Sequence, residues 1–138
     1  MLLASAAMSL VPVVALVAGL AVLASFKLVR PRSLALALAA GGAAALVCWP
    51  VAAGLTGGGV VPSELHSRLV APVIEEAIKG AYLAILLRRK RIGFMVDAAI
   101  LGAAVGAGFA CLENVYYLAM TQATSPLVWF VRGFGTAI

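Results

Sequence analysis

The chain has 138 residues, of which 64% are hydrophobic and 11% charged, and its formal net charge is +5 at pH 7. Soluble domains carry roughly a quarter charged residues, so this composition excludes a water-soluble globule and calls for lipid around most of the chain. The positive charge does not point to nucleic acid. It sits in two short clusters, Lys27, Arg30 and Arg32, then Arg88, Arg89, Lys90 and Arg91, without the interleaved aromatic residues that a base-stacking surface needs.

In chain order, Met1 to Phe26 is uncharged and long enough to cross a bilayer. Its basic cluster follows the apolar run instead of preceding it, which is the wrong order for a cleaved secretory signal. Leu34 to Leu55 forms a second, Ala-rich span interrupted by Gly41 and Gly42. Thr56 to Arg68, with three glycines and Pro62, reads as a loop, and it carries the lone histidine, His66, as a solvated side chain. Leu69 to Leu87 and Phe94 to Leu118 give a third and a fourth span, and Thr121 to Pro126 a polar connection. Leu127 opens a fifth apolar run that reaches only Ile138. Twelve helical residues rise about 18 Å, short of a roughly 30 Å hydrocarbon core. The expectation is therefore an all-α polytopic transmembrane bundle of about four complete spans plus the start of a fifth, one domain over residues 1–138 that is incomplete at its C-terminus.

Basic loops stay on the cytoplasmic side. Residues 27–32 and 88–91 are thus expected there, with the N-terminus outside, in a multi-pass protein of the plasma (inner) membrane. Cys48 and Cys111 each lie alone in an apolar run and read as buried thiols that pack as small hydrophobes. Gly102 and Gly106 match the small-xxx-small pattern of closely packed membrane helices. Tyr116 and Tyr117 fall where an interfacial aromatic belt lies. Asp97, near the cytoplasmic end of its span, is expected to pair with the basic residues 88–91.

Ionisable groups inside spans are costly and are functional candidates by default. They are Glu75, Glu76 and Lys79 in the third span, Glu113 in the fourth and Arg132 in the fifth. Glu75 lies about 9 Å inside the outer start of its helix, and Glu113 and Arg132 about 8 Å inside theirs. Antiparallel neighbours would bring them to one level. Lys79 can reach Glu75 at four residues or Glu76 at three. Pro72, with no N–H to leave unpaired, suits the start of the third helix, where the dipole favours ionised carboxylates. A carboxylate poised between a neighbouring carboxylate and a cation suits acid–base work on water, or metal binding. An ion-pair network that fixes helix register accounts well for one Glu–Lys pair, and less well for three carboxylates with Asn114 and Arg132 on three helices.

Three stretches carry a resemblance: P-V-I-E-E-A-I-K-G from Pro72 to Gly80, the glycine-rich D-A-A-I-L-G-A-A-V-G-A-G-F-A-C-L-E-N-V-Y-Y from Asp97 to Tyr117, and V-R-G-F-G-T-A from Val131 to Ala137. Together, over residues 72–138, they resemble the PrsW family of intramembrane proteases, related to the CAAX-processing and bacteriocin-immunity membrane proteases. The resemblance implies an intramembrane endopeptidase acting on a membrane-anchored regulatory protein such as an anti-sigma factor. By position it matches Glu75 and Glu76 to the family's double glutamate, Lys79 to its lysine, and Phe109, Glu113 and Asn114 to its second motif. Glu75, Glu76 and Glu113 are then the expected catalytic residues or metal ligands and Lys79, Asn114 and Arg132 supporting groups, with Asn114 or Arg132 suited to stabilise the oxyanion. Zinc or another divalent metal would suit such a site, and metal-free glutamate chemistry is the alternative. The family's histidines in later spans have no counterpart before Ile138, so the chain by itself is expected to be inactive. Two other classes compete: an ion- or proton-coupled transporter, whose paths are also lined by intramembrane charge, and a non-catalytic scaffold or immunity-type subunit. The implied partners are the lipid bilayer and a membrane-anchored substrate, with no nucleic acid. No signal of oligomeric state is present.

Overall fold

The computed structural model describes residues 2–25, 29–57, 62–65, 69–120 and 127–131. Every regular element among them is helical: α1 (Leu2–Ser25), α2 (Pro31–Gly57), the single turn α3 (Ser63–Leu65), α4 (Ala71–Arg88) and α5 (Met95–Met120), with a further helical stretch over 127–131. This is the expected all-α membrane bundle. Within α1, α2 and α5, Ala6–Leu23, Pro31–Leu55 and Met95–Met120 are long and apolar enough to cross a membrane. α4 has 18 residues and rises about 27 Å, but it carries Glu75, Glu76, Lys79 and Arg88.

The helix ends follow local chemistry. Pro31 opens α2 after Arg30, whose carbonyl accepts from the N–H groups of Ser33 (2.8 Å) and Leu34 (3.1 Å); proline suits that first position because its missing N–H would have had no partner. Pro72 likewise lies in the first turn of α4, so Glu75 sits in the second turn. α4 stops in a Schellman turn. The Arg91 N–H donates to Leu86 O (2.9 Å) and the Lys90 N–H to Leu87 O (3.0 Å), with Lys90 at φ 52°. That left-handed position normally takes glycine. The basic residues there face the negative end of the helix dipole.

The helix directions can be read from their contacts. Near the end of α5, Asn114 bonds to Ser9 near the start of α1, whereas Leu20 clusters with Ile100 and Leu101; α1 and α5 are antiparallel. Leu34 joins that same cluster, Gly41 lies on Val105 and Phe109, and Trp49 stacks on Tyr116; α2 and α5 run parallel. Leu83 meets Gly102 and Lys79 meets Phe109; α4 is antiparallel to both. The alternation expected from the loops is thus present, and Arg30, Arg32 and the basic residues 88–91 gather at one end of the bundle.

α5 is the centre. A Cβ on Gly41 would collide with the Val105 carbonyl oxygen, and one on Gly108 with that of Leu38, so α2 and α5 touch backbone to backbone. The seam is lined by Ala37, Gly41 and Ala45 at four-residue spacing and by Ala104 and Gly108 opposite, all buried. This corrects the expected glycine pair. Gly102 makes an ordinary contact with the Leu83 side chain, and Gly106 has nothing within 4 Å, so close approach uses Gly108 against α2. Outward-facing Val14, Leu36, Leu46, Ile85 and Val115 are exposed. In a bundle this apolar they are the lipid-facing surface, and the chain is a membrane protein.

Candidate active site

The two helices that carry the site do so on defined faces. On α5, residues four apart share a face. Ala107 and Ala110 pack with Val13 of α1, whereas Phe109 packs with Ala44, Ala45 and Cys48 of α2, joined by Ile78 of α4. Glu113 lies one turn beyond Phe109 and therefore faces α2 and α4. Asn114 lies one turn beyond Ala110 and faces α1. Each residue of the Glu-Asn pair thus addresses a different neighbour.

On α4 the two glutamates also part. Lys79 Nζ sits 2.8 Å from Glu76 Oε1 and 3.9 Å from the centroid of the Phe109 ring. The lysine chooses the partner three residues back, and the ring holds its ammonium against α5, a cation–π contact worth ~0.5–2 kcal/mol depending on desolvation. The Glu76 side chain is 73% exposed, outside the protein interior. Glu75 is half-buried, as is Glu113. Glu75 lies one turn before Lys79 on α4 and Glu113 one turn beyond Phe109 on α5, Lys79 sits over the Phe109 ring, and Cys48 of α2 packs beside Phe109. Glu75, Lys79, Phe109, Glu113 and Cys48 therefore share one level, at the end of the bundle away from the basic residues. The depth arithmetic expected Glu75, Glu113 and Arg132 at one level, and Glu75 and Glu113 lie at a common level here. Arg132 and His66 lie outside the described residues.

The structure corrects two sequence expectations, at Asp97 and Cys111, and adds partners at two more positions, Asn114 and Tyr116. The Asn114 side chain is fully buried and its Nδ2 donates to the Ser9 carbonyl at 3.1 Å, so one of its two N–H donors is engaged with α1. Asp97 accepts from the Phe94 N–H at 3.2 Å and caps α5, the return half of a capping box. Among the described residues no ion pair joins it to the basic cluster; the free N–H groups of its own helix start are nearer than long, solvated cations. Cys111 is exposed while Cys48 is buried, because α5 turns position 111 away from α1 and α2. Tyr116, beyond its expected place at the interface, stacks on Trp49 with ring centroids 4.3 Å apart, and Tyr117 meets Tyr116 edge-on at 5.7 Å. Sequence reasoning missed Cys48 and Trp49 as neighbours of the site. Their only signal was position, one level with Glu113 on a parallel helix.

The three glutamates do not assemble a metal site. Among the described residues no three His, Cys, Asp or Glu side chains converge closely enough to hold an ion, and Glu76 is turned to Lys79. A resident metal would need ligands beyond Glu75, Glu76 and Glu113, and no chemical step below is routed through one.

Fold and site together define a helical membrane protein with an acidic centre set within its bundle. Residues 6–137 match the model of a family described as PrsW family intramembrane metalloprotease, and the chain belongs to that family. Its class of activity is intramembrane proteolysis. The match begins well before Pro72 and takes in α1 and α2, which had shown no distinguishing sequence. No curated protein matches the chain, and no solved structure does.

Proposed function

We propose that Glu75 and Glu113 form the hydrolytic centre of an endopeptidase that cuts a membrane-anchored regulatory protein of the anti-sigma-factor kind. The observation that carries this reading is the shared level of two half-buried carboxylates on antiparallel helices, Glu75 one turn before Lys79 on α4 and Glu113 one turn beyond Phe109 on α5, where Lys79 and Phe109 touch. A carboxylate in a poorly hydrated site resists ionisation, and a nearby cation opposes that effect. Such a group can take a proton from water as the water oxygen bonds to the scissile carbonyl carbon. It can return the proton to the amine nitrogen as the C–N bond breaks. Glu75 is the better placed to do so, since it is half-buried whereas the Glu76 side chain is 73% exposed. Lys79, kept against α5 by Phe109, supplies positive charge where the carbonyl oxygen becomes negative. The end of the bundle that bears the basic residues faces the cytoplasm, which puts the centre in the outer half of the bilayer.

The test is cleavage of a membrane-anchored substrate by the full-length protein reconstituted in lipid. Glu75→Gln and Glu113→Gln are expected to lose ~10²–10⁴-fold in rate, the usual contribution of acid–base groups. Full activity in both variants overturns the assignment.

A further inference from the structure

Asn114 stands next to a carboxylate of the proposed centre yet points elsewhere. Its side chain is fully buried, and so is Ser9, 105 positions earlier, whose carbonyl it bonds. Ser9 Oγ in turn donates to the Ala6 carbonyl at 3.1 Å, which places that residue's polar atoms in a buried, hydrogen-bonded turn of α1. Three residues on, Pro12 lies inside α1 and contributes no N–H to the helix ladder. The N–H that Pro12 lacks would have served the Met8 carbonyl, one residue before the carbonyl that Asn114 bonds.

The consequence for Glu113 is angular. Successive residues on an α-helix are turned by about 100°. With Ala107, Ala110 and Asn114 fixed on α1, positions 109 and 113 are turned toward α2 and α4. The Gly41 and Gly108 contacts hold α5 against α2 over residues 105–109, but beyond them the small side chains of Ala107 and Ala110 restrain the rotation of the last turns of α5 only loosely. A directional hydrogen bond in a buried setting restrains it more, because breaking it strands an amide donor and costs about 1–3 kcal/mol.

We propose that Asn114 is a positioning residue: by clamping α5 to the Ser9 carbonyl of α1 it fixes the rotation of α5 that presents Glu113 to α4 and α2. The catalytic half of this proposal rests on Glu113 belonging to the hydrolytic centre; the geometric half does not.

The experiment separates the two. In full-length protein in membranes, with Cys111→Ser to remove the exposed thiol, Glu113→Cys is combined with native Cys48. Cross-linking by a short bifunctional thiol reagent then reports whether position 113 faces α2. Adding Asn114→Leu, of similar size but with no donor, is expected to cut the cross-linked fraction at least threefold. Asn114→Gln, which keeps the amide, is expected to restore most of it. With Glu113 intact, Asn114→Leu is expected to lower kcat at least tenfold and leave KM within about twofold, the pattern of a group acting on the transition state through another. If the leucine variant does not accumulate, Asn114→Ser, too short to span to Ser9, supplies the same two readouts. An unchanged cross-linked fraction in the leucine or serine variant overturns the clamp. A reduced fraction beside a fully active Glu113→Gln protein leaves the clamp standing and removes the catalytic role of Glu113 instead.

Discussion

The seam between α2 and α5 and the contact that α4 makes with them are built on opposite principles. At the seam, Gly41 and Gly108 let backbones touch, and Ala37, Ala45 and Ala104 extend the close approach along several turns. In lipid there is no hydrophobic drive between apolar helices, so such close van der Waals packing supplies the association. None of the residues of α4 is fully buried. It is held by Tyr82, Leu83 and Leu86 at one end and by Ile78 and the Lys79–Phe109 contact at the other. The rigid pair carries one carboxylate, Glu113, and the looser helix carries Glu75. The hydrolytic centre proposed above would thus span a tightly packed pair of helices and a third, less buried one, an arrangement that suits an enzyme that must admit a peptide segment between them.

This contrast can be broken from either side. The largest effect is expected at the charges: Glu75→Gln should lower cleavage ~10²–10⁴-fold while thermal stability in detergent stays near that of the parent, because no buried packing is lost with it. A comparable loss of stability would show that α4 is as integral as α5. Next come the seam glycines. Gly41→Ala and Gly108→Ala should each destabilise the bundle by about 1–3 kcal/mol or more, as overpacking does, whereas Gly106→Ala, with open space around it, should not destabilise it. Equal stability across the three variants would deny the backbone contact. Phe109→Leu removes the ring beneath Lys79 and should cost ~0.5–2 kcal/mol, with a fall in cleavage larger than that of Lys90→Gly. The smallest effects belong to the α4–α5 turn. Asp97→Ala should lose about 1 kcal/mol with the cap, and Lys90→Gly should gain about 1 kcal/mol by relieving a left-handed backbone; denaturant titration reads both.

Much of this was legible before any coordinates. The apolar runs and basic loops located the long helices and their alternating direction, since length and charge decide both. The level of Glu75 and Glu113 followed from helical rise. What stayed hidden depends on which face meets which neighbour. Gly102, Gly106 and Gly108 are equivalent as letters, and only the approach of α2 selects Gly108. Lys79 was in reach of two glutamates, and the structure shows it paired with Glu76 and laid over the Phe109 ring. Asn114 beside Glu113 suggested shared chemistry, but one residue along a helix is a turn of about 100°, enough to send it to another partner. The family resemblance was visible only from Pro72 because α1 and α2 contribute small and apolar side chains, which carry little pattern when read singly.

The parallel pairing of α2 with α5 has a consequence for how the chain is made. Its two halves are separated by all of α4, so Gly41 must wait in the membrane while some tens of further residues are translated, on the order of several seconds at roughly 5–20 residues per second. During that interval a strip of bare backbone lies open to lipid and to other nascent helices. Closure of the seam therefore waits for α5, and a ribosome stalled before Gly108 would leave an adhesive intermediate for the quality-control machinery to remove.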